Sequence, residues 1–336
     1  MRKLYILLVC FLIGISTILH KNNTSSEEER LTIYASLMEE QAIKAVEEFE
    51  KETGIKTNFI RRSSGEILEK IRKEKENMKA SVWYGGTADT FISAYEEGLI
   101  EPYKSPNSYM IPNEYKDENG IWTGIYIGYL GFIANERWLK ENNIDMPNCW
   151  EDLLKPEFEG NIVLPNPSSS GTAYTIVATI VQLMGEEKGL EFLNKLDKQV
   201  VQYTKSGLTP GIVVGLGEAG IGVTFLNNVI RYEKEGYKNI EMVAPKDGTG
   251  YEIGAVAILK DAPNMNEAKK FVDWSLTKRA QELGKSVGSY QVLTNYKAAS
   301  PKEPEFIKDI NLIKYDFKWA GKNRKRLIKK FEDMRD

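Results

Sequence analysis

Four times in this chain a short strand pattern ends in Ser, Thr or Gly and leads into a helical pattern. Residues 31–35 are followed by Ser36, and residues 55–61 by Ser63-Ser64-Gly65-Glu66. Residues 82–84 are followed by Gly85-Gly86-Thr87, and residues 161–164 by Asn166-Pro167-Ser168-Ser169-Ser170-Gly171-Thr172. Strands alternating with helices imply βαβ units around a parallel sheet. In such sheets ligands sit beyond the carboxyl ends of the strands, which is where these polar turns fall.

The chemistry of the turns follows from helix geometry. The first N–H groups of a helix have no partner within it and carry the positive end of the helix dipole. Neighbouring hydroxyls add donors, and glycine lets an anion approach the backbone. Each turn read alone is equally an ordinary N-cap. Four together favour a donor-rich pocket that suits an anion.

Beyond these turns, residues 122–134 and 248–259 are long, apolar and glycine-spaced. They read as extended crossings between two lobes. The intervening text alternates strands and helices, and Asn227-Asn228 opens a helix running to residue 235. A basic helix over 322–334 closes the chain, its Lys and Arg forming a solvated face.

Arg2 and Lys3 precede apolar residues 4–19, so residues 1–21 read as a signal sequence or an N-terminal anchor, with Cys10 a candidate for lipid attachment. The rest is therefore expected outside the cytoplasmic membrane, in the periplasm or on the membrane's outer face. The single histidine, His20, lies in this leader. The exported part thus lacks the histidine needed for a Ser-His-Asp triad or a histidine metal site. Its one cysteine, Cys149, rules out an internal disulfide and reads as a small apolar residue. With 45 basic and 48 acidic residues the chain shows no basic excess to suggest nucleic-acid binding.

Four segments together resemble the bacterial solute-binding proteins of ABC importers, in the branch related to iron-binding proteins. They are Trp83-Tyr84-Gly85-Gly86-Thr87-Ala88-Asp89-Thr90, Gly98-Leu99-Ile100-Glu101-Pro102-Tyr103, residues 167–175, and Gly248-Thr249-Gly250-Tyr251-Glu252-Ile253-Gly254. The likeness covers roughly residues 31–295. It implies an α/β fold of periplasmic-binding-protein type II, with two lobes joined by a hinge and a ligand cleft between them. Lobe 1 is expected at 31–126 plus about 254–295, and lobe 2 at 127–253 plus about 296–336.

Iron-binding members of the family hold ferric iron with adjacent tyrosines in the second lobe and often a histidine near the first strand. This chain has Asn227-Asn228 and Ser36-Leu37 at those places. Sugar-phosphate-binding relatives carry a His-Asp pair where Asn227-Asn228 stand. The resemblance therefore implies a small phosphorylated or phosphonylated organic anion, no metal, no cofactor and no catalysis. The expected contacts are Ser36, Ser63, Ser64, Gly65, Gly86, Thr87, Ser169, Ser170, Gly171, Thr172, Lys205, Asn227, Asn228 and Glu252, with Lys205 balancing a dianion. The expected partner is an ABC permease, and the protein is expected to be a monomer. Alternatives are a membrane-anchored sensing subunit for a histidine kinase, a ferric-iron carrier, or an exported hydrolase working through carboxylates or a Ser-Lys pair.

Overall fold

The computed structural model describes residues 30–303 and 309–335. The leader, with the signal-or-anchor reading, Cys10 and His20, lies outside the described residues. No helix among the described residues is long and apolar enough to cross a membrane.

The strands are β1 (Leu31–Ala35), β2 (Thr57–Arg61), β3 (Val82–Thr87), β4 (Ile100–Glu101), β5 (Thr123–Asn135), β6 (Ile162–Pro165), β7 (Val200–Thr204), β8 (Ile221–Phe225), β9 (Ile240–Val243), β10 (Tyr251–Leu259) and β11 (Val292–Leu293). Their main order is β2-β1-β3-β10-β5-β8-β6-β7. β1 pairs in parallel with β2 and β3, and β6 with β7 and β8, as the βαβ alternation requires. β10 and β5 run antiparallel through the middle.

β5 belongs to both halves. Its residues up to Tyr129 pair with β10, and from Leu130 onward it pairs with β8 and β9. The switch falls slightly beyond the lobe boundary drawn from sequence, and β10 pairs with first-half strands along its whole length. A third segment accompanies these crossings: Thr249 N–H donates to Asn311 O at 2.9 Å, and Ile313 N–H to Thr249 O at 2.9 Å.

Both sheets are covered on both faces, so their inner strands read as nearly continuous apolar runs. Ile33, Val82, Tyr84, Val256 and Ile258 face one core, while Tyr34, Trp83, Ala255 and Ala257 face the other. Leu130, Phe132, Ile221 and Val223 share a third core with the helix Gly171–Met184. Trp83 stacks on Phe91 at 4.3 Å, a core role consistent with its full burial.

Two sequence expectations shift. The Gly85-Gly86-Thr87 turn is instead the end of β3, whose glycines adopt φ of 83° and 91°, a region that other residues enter only with strain. The closing helix begins earlier, at Phe317, because Asp316 caps it by accepting from Trp319 N–H at 2.8 Å. Nor are all its bases solvated. Arg324 is 1% exposed, lies 3.4 Å from Asp89 and stacks on Tyr174 at 4.4 Å.

That ion pair wedges the closing helix between the two halves. Ala320, Leu327 and Phe331 pack into the core of the second, while Gly321 lies against Ile92 of the helix Ala88–Glu96. Burial raises the Asp89 carboxyl above its ordinary range, opposed by Arg324 and by hydrogen bonds from Thr87, Thr90 and Tyr315. Removing one partner of a buried pair strands the other, at about 3–5 kcal/mol. Arg324→Met should therefore lower stability by roughly that amount, and the double variant Asp89→Asn/Arg324→Met should recover most of it. Urea unfolding of the three proteins measures this.

Candidate functional site

The carboxyl ends of the parallel strands in the two halves face each other across one cavity. From the first half come Ser36 and Leu37 after β1, Arg61 and Ser63-Ser64 at the end of β2, and Gly86-Thr87 at the end of β3. From the second come Ser170-Gly171-Thr172 after β6, Ser206-Gly207-Leu208 after β7, and Phe225 and Asn228 around the end of β8. Tyr126, Glu252 and Gln291 complete the lining from the crossing strands and the segment before β11.

Nearly every wall is the start of a helix. Ser63 caps Ser64–Lys73 through a capping box, its own N–H donating to Glu66 Oε2 at 3.1 Å. Ser170 caps Gly171–Met184, accepting from Ala173 N–H at 3.3 Å. Thr87 precedes Ala88–Glu96, and its hydroxyl donates to Asp89 Oδ1 at 3.0 Å or shares a proton with Thr90 at 2.8 Å. Ser64, Gly171 and Thr172 occupy the first positions of their helices, and their N–H groups have no partner among the described residues. Cap and ligand contact are thus not alternatives at Ser63 and Ser170: a capping oxygen that accepts an N–H still has its own proton to donate.

Of the expected contacts, Ser36, Ser63, Ser64, Gly86, Thr87, Ser170, Gly171, Thr172, Asn228 and Glu252 line this cavity. Gly65, Ser169, Lys205 and Asn227 do not. Gly65 and Glu66 donate their N–H groups to Ser169 O, at 3.0 and 3.3 Å, joining one half of the molecule to the other. The Ser169 hydroxyl donates to Lys205 O at 2.9 Å, and the Lys205 side chain is exposed. Asn227 sits behind Asn228, donating to its Oδ1 at 3.1 Å, while Asn228 donates to Thr224 Oγ1 at 3.0 Å.

The cavity wall carries Arg61 and not Lys205. Arg61 is the only cation among the lining residues, and its Nε is fixed by donating to Leu37 O at 3.1 Å. Its place at the end of β2, two residues before Ser63, carried the signal. Tyr126 and Gln291 had none, because they reach the cavity from distant strands. Tyr126 OH accepts from Gly86 N–H at 3.3 Å, and burial holds the phenol well above its ordinary range.

Glu252 is the only acid of the lining. It is 5% exposed, and its carboxyl has no hydrogen-bond or ion-pair partner among the described residues. Burial, then the nearby Asp89 charge, holds its carboxyl well above the ordinary range. The buried Asn227 Oδ1, also without a partner, flanks the same backbone position, Gly128, as Glu252 Oε1. Among the described residues no group of three His, Cys, Asp or Glu side chains is placed to hold a metal ion. Cys149 does not line the cavity; it is partly buried, and burial raises its thiol.

A family model described as bacterial extracellular solute-binding protein matches residues 82–316. An uncharacterized protein of Haemophilus influenzae is 41% identical over 318 residues, covering 92% of each chain. The structure of the periplasmic binding protein AfuA from Actinobacillus pleuropneumoniae, with exogenous fructose-6-phosphate bound, is 42% identical with a TM-score of 0.88, over 91% of this chain and 98% of that one. The periplasmic binding protein P5PA is 36% identical with a TM-score of 0.87, over 91% of this chain and 99% of that one.

The raised Glu252 carboxyl makes a prediction for the ligand-free protein. A carboxyl that keeps its proton in the fold after the unfolded chain has lost it costs stability as pH rises from about 4.5 toward its raised value. Glu252→Gln should therefore melt above wild type at neutral pH, and the gap should close near about pH 4, where both states are protonated. Thermal melts across pH measure this.

Proposed function

The chain belongs to the family of bacterial extracellular solute-binding proteins, and from that premise we propose that its cavity holds a small phosphorylated or phosphonylated organic anion for delivery to an ABC permease. The observation that carries the reading is the set of unpartnered N–H groups of Ser64, Gly171 and Thr172, brought together with the Arg61 guanidinium. Helix starts of this kind, with adjacent hydroxyls, are anion sites that need no metal. AfuA, which was solved with fructose-6-phosphate bound, supports the phosphate class.

Ferric iron fits poorly. It asks for hard anionic oxygens, yet the lining offers one carboxyl that burial drives toward its neutral form and one phenol, Tyr126, that burial keeps protonated. Inorganic phosphate alone leaves much of the wall unused. Glu252 and Gln291 can accept from hydroxyl or amino groups, and Phe225, Leu37 and Leu208 offer apolar surface. An organic body attached to the anion uses both.

We assign ligand contact to Ser36, Arg61, Ser63, Ser64, Gly86, Thr87, Ser170, Gly171, Thr172, Asn228 and Glu252. The lobes are proposed at 31–126 with about 254–295 and at 127–253 with about 296–336, adjusted to the switch of β5 pairing after Tyr129. No chemistry is assigned to the site.

Fructose 6-phosphate and other phosphate monoesters should raise the melting temperature, a ligand at 100 times its Kd adding about 2.7 kcal/mol. A shift with ferric citrate and none with any phosphate ester or phosphonate would overturn the assignment. Arg61→Gln and Thr172→Val each remove a hydrogen bond to a charged group, worth roughly 1.5–3 kcal/mol. Calorimetric titration should therefore show affinity falling at least about tenfold for each. Binding should also draw the lobes together, seen as a smaller radius of gyration in solution scattering.

A further inference from the structure

Ligand contacts are not all that joins the two lobes. The start of the helix Ser64–Lys73 rests on the backbone of the opposite lobe, with the Gly65 and Glu66 N–H groups both directed at the Ser169 carbonyl. The receiving turn is held firmly. Ser169 and Ser170 N–H donate to Asn166 O at 3.2 and 2.9 Å, Ser168 N–H to Asn166 Oδ1 at 2.9 Å, and Asn166 N–H to Thr204 O of β7 at 2.8 Å. The Ser169 hydroxyl is tied to Lys205 O.

This docking is possible only because residue 65 lacks a side chain. A Cβ there would press on the carbonyl oxygen of Ser168 and lie 2.7 Å from the oxygen and 2.8 Å from the carbon of the Ser169 carbonyl. These are backbone atoms of an anchored turn, so they cannot swing aside as a side-chain tip would. Gly65 itself has ordinary negative φ, in the first turn of a helix. Alanine is a better helix former at such a position, and the three atoms its Cβ would meet first all belong to the opposite half.

We propose that Gly65 and the Ser169 carbonyl form a clasp that sets how far the cleft can close. Gly65 acts as a positioning residue: it touches no ligand, and its missing side chain lets the anion-binding helix starts of the two lobes converge. The clasp rests on the reading of the cavity as a cleft that closes by lobe motion. It differs from the ligand contacts in using backbone on both sides, so Ser169→Ala preserves it and Gly65→Ala removes it.

The clasp is tested without ligand by cross-lobe trapping. Arg231 of the second half and Glu40 of the first meet at 3.4 Å. In full-length protein carrying Cys10→Ser and Cys149→Ser, Glu40→Cys and Arg231→Cys provide two thiols, one on each lobe, for a short bis-maleimide. Adding Gly65→Ala should slow crosslinking at least tenfold while leaving the melting temperature equal or higher, and adding Ser169→Ala should leave the rate within twofold. Calorimetry with fructose 6-phosphate forms a separate arm, in which Gly65→Ala weakens any binding the parent shows. A Gly65→Ala rate equal to that of the parent overturns the clasp. Absence of binding by the parent counts against the proposed ligand class and leaves the crosslinking result standing.

Discussion

An α-helix cannot satisfy its own first N–H groups, and this chain places several such helix starts around one cavity. Pairing a buried N–H is close to obligatory, so each start needs an outside partner. Some find one within the protein: Ser170 Oγ takes the N–H of Ala173, and Ser169 O takes those of Gly65 and Glu66. The N–H groups of Ser64, Gly171 and Thr172 take none. An anion of the proposed class would satisfy the remainder. The parallel pairing of β1 with β2 and β3, and of β6 with β7 and β8, brings these helix starts to the carboxyl-end edge of each half.

Charge is managed on the same principle. An anion site built on helix starts would be spoiled by an unpaired acid, yet Asp89 sits in the first turn of Ala88–Glu96, directly behind Thr87. Arg324 of the closing helix, Tyr315 and the two threonines surround it. Glu252 is treated differently. It receives no cation, and burial favours its protonated form. The acid behind the helix start is thus matched by a guanidinium, while burial leaves the acid in the lining as a neutral hydrogen-bonding group.

Much of this was legible in the sequence because it is local. Strand, polar segment and helix follow one another within about ten residues, so the polar ends of β1, β2, β3 and β6 could be placed before any topology was known, although Gly85-Gly86-Thr87 proved to be strand rather than turn. What escaped was set by distance. Tyr126 and Gln291 reach the cavity from elements whose own patterns describe only a strand and a coil. Arg324 looked like one base among many in a charged helix, and its burial depends on Asp89, 235 positions earlier. Lys205 failed for a geometric reason: the turn after β7 gives the cleft Ser206 and Gly207 and sends the intervening lysine outward.

Gly65 and Ser169 show where reading residue types reaches its limit. Both lie in turns whose composition suits an anion, and both carry donors an anion could accept from. In the structure the Gly65 N–H goes to the Ser169 carbonyl, while the Ser169 N–H and hydroxyl go to Asn166 O and Lys205 O. Composition identifies a supply of donors but cannot apportion them between ligand and protein, since that depends on which backbone segments meet when the lobes come together. The glycine that seemed to admit a ligand to the helix start instead admits a carbonyl from the opposite lobe. Its neighbour Ser64, one position earlier on the same helix, turns toward the cavity. Two adjacent residues of one helix start thereby go different ways, one to the cavity wall and one to the backbone of the other half.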